Sequence, residues 1–401
     1  MATTDGSRGD AVAEIAFDYT GDADLWADPW GHWDVLRERH RFARTTAGMA
    51  APTWVLTRYD DIHEALQNPE VFSSRSVTPP DPEGAHRWIP EELDPPEHAP
   101  YRQILTPFFT PAAMRDLEPR IRSWCVELVE KLVPEGRCDF VADFARLYPT
   151  YIFMGLFGLP VAEAGVLLGW ADALMHTSSA EDPEHKVRQE ATMAIAGYLM
   201  NLIEVRRRHP ADDICTFLVQ AKVDGKPMSD EDLLNYAFLL YMAGLDTVAG
   251  LLGCTFRHLA EHDGDRRRIV EDPQVIPVAV EEFLRYYSIV TSGRLVTRDV
   301  EFHGCPMRAG DRVLLPTVSA NRDPSAFAAA GSFVIDRTAN RHMAFGAGPH
   351  RCLGSHLGRL ELAVALEEWH RRIPDYRLGP GDVGVHAGGV AGLDALPLAW
   401  R

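Results

Sequence analysis

Helical periodicity dominates the chain, and short alternating runs come late. From about Glu97 to Tyr287 apolar residues recur at helical spacing, broken at Pro134-Glu-Gly136, Gly158-Leu-Pro160, His209-Pro210 and Asp224-Gly-Lys-Pro227. This stretch predicts a helical bundle. Ahead of it, Trp54-Val-Leu-Thr57 reads as a strand and Asp60 to Leu66 as a helix. The proline-rich segment from Val71 to Pro96 reads as a long irregular loop, of the kind that often forms a lid or a binding loop. Ser229-Asp-Glu-Asp232 has the form of a helix N-cap, and the run from Leu233 to Cys254 is apolar on nearly every face, which predicts one helix in the middle of the protein. After Arg285 the pattern turns to short β-like runs at Arg294–Thr297, Val300–His303 and Arg312–Leu315. A last helix is expected from about Gly354 to Arg371, with small strands closing the chain. The fold class expected is mainly α with a minor β region. Without a repeat or a linker, residues 1–401 are expected to form a single domain.

Composition leaves this picture intact: 46% hydrophobic and 24% charged residues are the balance of a globular protein. A formal net charge of -18 argues against a protein built to grip nucleic acid, which needs a clustered basic surface. The opening MATTDGSRGD is polar and has no apolar signal-peptide region. The most apolar stretch, Ala237 to Leu245, is about half the length a membrane-spanning helix requires. A soluble, cytoplasmic protein with no membrane and no nucleic-acid partner is expected.

Six cysteines, Cys125, Cys138, Cys215, Cys254, Cys305 and Cys352, are scattered without a C-x-x-C pair, so neither a zinc site nor a disulfide framework is suggested. Five read as small buried apolar residues. Cys352 stands apart, in Phe345-Gly-Ala-Gly-Pro-His-Arg-Cys-Leu-Gly354 just before a helix. Glycines there let backbone amides turn toward sulfur. The positive end of the helix and Arg351 favour the anion, so a lowered thiol pKa is expected. A soft anionic ligand suits iron. On chemistry alone, a structural cysteine in a glycine turn is an equal reading. A phosphate cradle is disfavoured, because the Gly-Lys-Ser/Thr ending is missing.

Ala243-Gly-Leu-Asp-Thr247 places an acid and an alcohol in an otherwise apolar helix, where burial is costly without partners. Either Thr247 back-bonds to a carbonyl one turn earlier while Asp246 meets a cation or water, or the pair carries chemistry. Glu282-Phe-Leu-Arg285 sets opposite charges at i,i+3. His98 and Arg102, at i,i+4, point the same way from one helix.

Taken in order, these elements resemble the cytochrome P-450 family. The cysteine loop matches its haem-binding signature F-G-x-G-x-H-x-C-x-G, Ala243 to Thr247 its A-G-x-D/E-T motif, and Glu282 to Arg285 its E-x-x-R element. The similarity runs over essentially the whole chain, and Gly389 to Trp400 looks like the ending of bacterial camphor-hydroxylase relatives. The resemblance implies the P-450 fold and a haem b ligated by Cys352. It implies propionate contacts from His98, Arg102, Arg294 and His350, and a proton relay from Asp246 and Thr247. Glu282 and Arg285, with Arg337, would lock the core behind the haem. Trp88, Met242, Ala243, Ile289, Val290 and Val390 would line the substrate pocket. No tyrosine in the segment holding Trp88 and Ile89 replaces the one that binds a ketone in the camphor enzyme.

The activity implied is a monooxygenase that hydroxylates a small apolar molecule such as a terpenoid, using O2. Electrons would come from NAD(P)H through a ferredoxin reductase and an acidic ferredoxin docking near Arg351 and Arg359. Two alternatives stay open at this point. One is a peroxide-using member of the fold, which the acid-alcohol pair disfavours because such members usually lack it. The other is a non-catalytic haem-binding member.

Overall fold

The structure, a computed structural model, describes residues 13–15, 17–18, 22–47, 52–77, 87–177, 182 and 184–401. The polar opening and residues 78–86 of the expected lid lie outside the described residues.

The bundle forms where the periodicity puts it. Pro111–Leu132 starts under the Thr110 hydroxyl, which accepts from the Ala113 amide at 3.2 Å, with proline at the first turn where its missing N–H costs nothing. It packs along Ser355–Arg372, and Ile121, Leu128, Val129, Leu362 and Leu366 share one core with Phe140, Phe144, Phe256 and Trp369. Breaks fall as expected. Gly136 and Gly158 follow helical segments in the left-handed conformation that glycine adopts without a Cβ penalty, and Lys186–Arg208 stops before His209-Pro210.

The central helix departs from expectation. Asp230–Leu245 is capped by Ser229, whose hydroxyl accepts from the Asp232 amide at 3.0 Å, but the helix ends at Leu245 and a second, Thr247–Glu261, begins after Asp246. Periodicity predicts one helix and the resemblance implies a bend in it at the acid-alcohol pair; two helices stand, with an acid at their junction. The physical reason is local: the Thr247 hydroxyl donates to the Ala243 carbonyl at 3.1 Å, wedging into the turn in the way that bends helices. Residues Asp230–Glu261 together are long and apolar enough to cross a membrane by composition. Here Leu233, Phe238, Tyr241, Leu252 and Phe256 are buried against other helices.

The β-region is larger than the sequence shows. A six-stranded sheet runs in the order Ala13–Glu14, Phe42–Thr45, Thr53–Leu56, Arg312–Pro316, Thr291–Val296 and Phe72–Ser73, so that early and late parts of the chain share one layer. Arg312 to Leu314 lie parallel to Thr53 to Val55, and Arg312 to Pro316 lie antiparallel to Leu295 to Thr291. The buried Trp54 indole donates to Asp311 at 2.8 Å and ties the two halves. A second sheet joins Arg137–Asp139, Pro397–Trp400 and Tyr376–Leu378. A hairpin of Val385–His386 and Gly392–Leu393 lies on Thr247–Glu261, close enough that a Cβ on Gly392 would come 3.2 Å from the Gly250 Cα.

Candidate active site

Cys352 lies in a turn tied at its base by its own amide, which donates to the Phe345 carbonyl at 2.8 Å. Gly346 and Gly348 have positive φ, and at Gly348 a side chain would overlap the Leu66 carbonyl, so only glycine fits that loop against its neighbour. The sulfur is surrounded by protein and still keeps accessible surface within the fold. The expectation of a lowered thiol pKa is corrected. Burial raises it, and the opposing Gly354 amide and the Arg102 and Arg351 charges do not overcome that penalty. The helix end and the nearby arginines soften the cost of an anion without making the free thiol acidic. Coordination to a metal ion deprotonates a thiol outright.

Four bases gather beside the loop. His98 opens the helix His98–Leu105 and Arg102 sits one turn on. The Arg102 guanidinium donates to the Arg351 carbonyl, joining that helix to the cysteine turn. Arg294, 4% exposed on the strand Thr291–Val296, bonds, among the described residues, only the neighbouring Gly293 carbonyl, at 2.6 Å. The rings of His98 and His350 lie 4.2 Å apart between centroids, and the Nε2 atoms of both are buried with no hydrogen-bond partner among the described residues. Burial, then the charges of Arg294, His98 and Arg102, push His350 down to about 3; burial lowers Arg294 to about 10. Two guanidiniums and two imidazoles, each with one unpaired ring nitrogen, call for anionic oxygens, the donor set that suits a group carrying two carboxylates.

Glu91 also belongs here and was not legible in the sequence. Burial raises its carboxyl pKa, while Arg294 and Arg102 pull the other way. It lies in the irregular proline-rich segment, where no periodicity assigns a facing.

Asp246 and Thr247 sit at the helix junction. Asp246 is held at Oδ1 by Nε2 of His176, 2.9 Å away, and its Oδ2 is buried without a partner among the described residues. Burial opposes its charge, but the hydrogen bond and charge of His176, with His386 and Arg146 behind, hold its pKa below the usual carboxylate value. The cation or water foreseen for Asp246 is therefore met by an imidazole. His176, His386, Asp394 and Arg146 were missed by sequence reasoning because they come from separate parts of the chain.

Glu282, 0% exposed, accepts from Nη2 and Nε of Arg285 at 2.7 and 2.8 Å, from Nε of Arg337 at 3.0 Å and from the Val334 amide at 2.8 Å. Arg285 in turn donates to the carbonyls of Asn321, Ala330 and Ser332, each at 2.8 Å. The Asn321 side chain accepts from the Met343 amide at 2.7 Å, which carries this frame into the cysteine loop.

The expected pocket residues divide. Trp88 stacks edge-on against Phe238, and Ala243, on the same helix, is exposed. Val290 and Val390 bridge each other, and both are half-buried. Met242 packs against the helical core. Ile289 differs from expectation, since its Cδ1 reaches toward Gly250 and the side chain packs into two core clusters, because alternate residues of an extended segment face opposite ways. Of the two arginines expected to meet an acidic partner, Arg351 is exposed and Arg359 is engaged by both oxygens of Glu281, at 2.6 and 2.9 Å.

A helical fold that closes one thiol and four bases around a common place, beside a helix broken at an acid-alcohol pair, defines the haem-thiolate class. The family model for cytochrome P450 matches residues 172–369. Probable cytochrome P450 127A1 of Sinorhizobium fredii is 37% identical over 87% of this chain and 83% of its own length. Steroid C26-monooxygenase of Mycolicibacterium smegmatis is 33% identical over 91% of each. The crystal structure of CYP101C1 superposes with a TM-score of 0.87 at 32% identity, covering 97% of both chains. The chain belongs to the cytochrome P450 family. It is a haem b enzyme of the monooxygenase type, with electrons drawn from NAD(P)H through redox partners.

Proposed function

We propose that this P450 hydroxylates a small apolar molecule of terpenoid character, receives its electrons from a separate ferredoxin and reductase, and works in the cytoplasm as one catalytic domain. Asp246 carries the reading: an ionised carboxylate at a helix break, with one oxygen held and one free, is equipped to pass protons inward. A peroxide-using or non-catalytic member has no need of it.

Cys352 would hold the iron, and His98, Arg102, Arg294 and His350 the two propionates. Haem, when bound, supplies the activation of dioxygen and the attack on a C–H bond. Asp246 takes protons from the side of His176 and releases them from Oδ2. Thr247, whose hydrogen is committed to the Ala243 carbonyl, keeps its oxygen free to accept from water and so positions the next donor. Trp88, Met242, Ala243, Val290 and Val390 would form the apolar wall that holds the substrate carbon. Ile289 supports that wall from the core.

The test is the absorption spectrum of the reduced protein under carbon monoxide, followed by terpenoid titration of the oxidised form while its spin state is watched. A red-shifted carbonyl band, and a spin shift with at least one terpenoid, are expected. A carbonyl band of histidine type would overturn the ligand assignment. A panel that shifts only with steroids or macrolides would overturn the substrate class.

A further inference from the structure

Behind Asp246 lies a second group of ligands. His176 ends the helix Ala164–Met175, His386 comes from the hairpin strand Val385–His386, and Asp394 follows the partner strand Gly392–Leu393. One ligating atom from each lies within 4.8 Å of the other two. The rings of His176 and His386 are 4.7 Å apart between centroids, and Nδ1 of His386 is 2.7 Å from Asp394 Oδ1. Gly392 and Gly250 make this possible: without side chains they let the hairpin settle onto the helix one turn beyond Asp246. His386 is 8% exposed and its Nε2, packed against Gly392, has no partner among the described residues.

We propose that His176, His386 and Asp394 form a second metal site, for a divalent transition ion of the zinc class, and that filling it withdraws His176 from Asp246 and slows proton entry. Two imidazoles and a carboxylate are a ligand set that zinc accepts, with a fourth position left for water. Ligand atoms around tetrahedral zinc stand about 3.4 Å apart, so the widest separation closes by about 1.4 Å. Asp394, whose side chain is 56% exposed, has the freedom to move and gives the ion a way in. Charge favours a cation: Asp246, Asp394 and Asp172 are three carboxylates, and of the nearby guanidiniums Arg146 is paired with Asp172 and Arg188 is tied to the Thr177 carbonyl. Asp246 already holds Nε2 of His176, so an ion that draws this imidazole toward His386 and Asp394 takes it from the relay carboxylate. The binding half stands on this geometry alone, while the effect on protons rests on the relay proposed above.

The experiment uses the haem-loaded protein, zinc ions and a chromophoric chelator in competition. One zinc per chain is expected, weakened at least tenfold in His386→Gln and in Asp394→Asn, with the carbonyl band of both variants unchanged as the check on folding. Zinc should also divert reducing equivalents to peroxide in the unaltered protein, and should lose that effect in either variant. Zinc binding that is absent, or insensitive to both substitutions, overturns the site. Zinc bound as expected with product coupling untouched keeps the site and overturns the link to Asp246.

Discussion

Thr247 donates a hydrogen bond to the Ala243 carbonyl and Asp246 accepts one from His176, so two neighbours meet different demands. Thr247→Ala removes the oxygen that would order water beside Asp246 while leaving the apolar wall in place. Substrate-induced spin shift should persist, product per NAD(P)H should fall several-fold and peroxide should rise, as measured by coupled turnover. Unchanged coupling would remove Thr247 from the relay. Glu361 poses the opposite problem. It is 3% exposed, its Oε2 has no partner among the described residues, and burial lifts its pKa from 4.5 to about 8. Between those values the folded protein keeps a proton that the unfolded chain has released, so stability is full below pH 4.5 and falls as pH rises toward 8. Glu361→Gln should therefore match the parent near pH 4 and exceed it at pH 8, by an amount on the order of 4 kcal/mol in denaturant titration. Cys352, Asp246 and Thr247 were legible because each sits inside a motif whose members are close in sequence. Glu91, His176 and Asp394 were not, because their partners are brought by the fold; Asp246 and His176 are 70 residues apart.

At the scale of elements, periodicity located the helices well and the strands poorly. The Lys186–Arg208 and Ser355–Arg372 helices carry long apolar stripes between clear stop signals, which a reader of the sequence can follow. Ala13–Glu14 and Phe72–Ser73 are two residues long, and what makes them strands is a neighbour from elsewhere in the chain rather than any pattern of their own. The break at Asp246 was hidden from periodicity, because both sides of it are equally apolar and the interruption depends on hydrogen bonds, and only the acid-alcohol motif signalled a bend there. Glu282 joins three elements, the helix Ile276–Tyr286 and the segments at Val334 and Arg337. Glu282→Gln leaves two buried guanidiniums short of their anion and should cost about 3–5 kcal/mol. A fall of the urea midpoint with loss of haem absorbance would check it, and a midpoint unchanged within error would contradict it.

Over the whole molecule, acidity and docking pull in different directions. A chain of net charge -18 repels an acidic electron donor except where cations are free on its surface. Arg351 is exposed next to the cysteine turn, whereas Arg359 is committed to Glu281. Reversal at Arg351→Glu should raise the KM for ferredoxin several-fold and flatten the salt dependence of turnover, leaving the terpenoid spin shift as it was; an unmoved KM would place the docking face elsewhere. Arg359→Glu should instead disturb the fold, because it sets two carboxylates face to face.

The frame around Glu282 also sets an order for chain synthesis. Its members run from Glu282 through Asn321 and Val334 to Arg337 and Asn340, so every one of them is made before Cys352. The scaffold of the cysteine turn can thus emerge from the ribosome ahead of the thiol it will hold, and a nascent chain arrested shortly after that thiol already carries the means to hold the turn in shape.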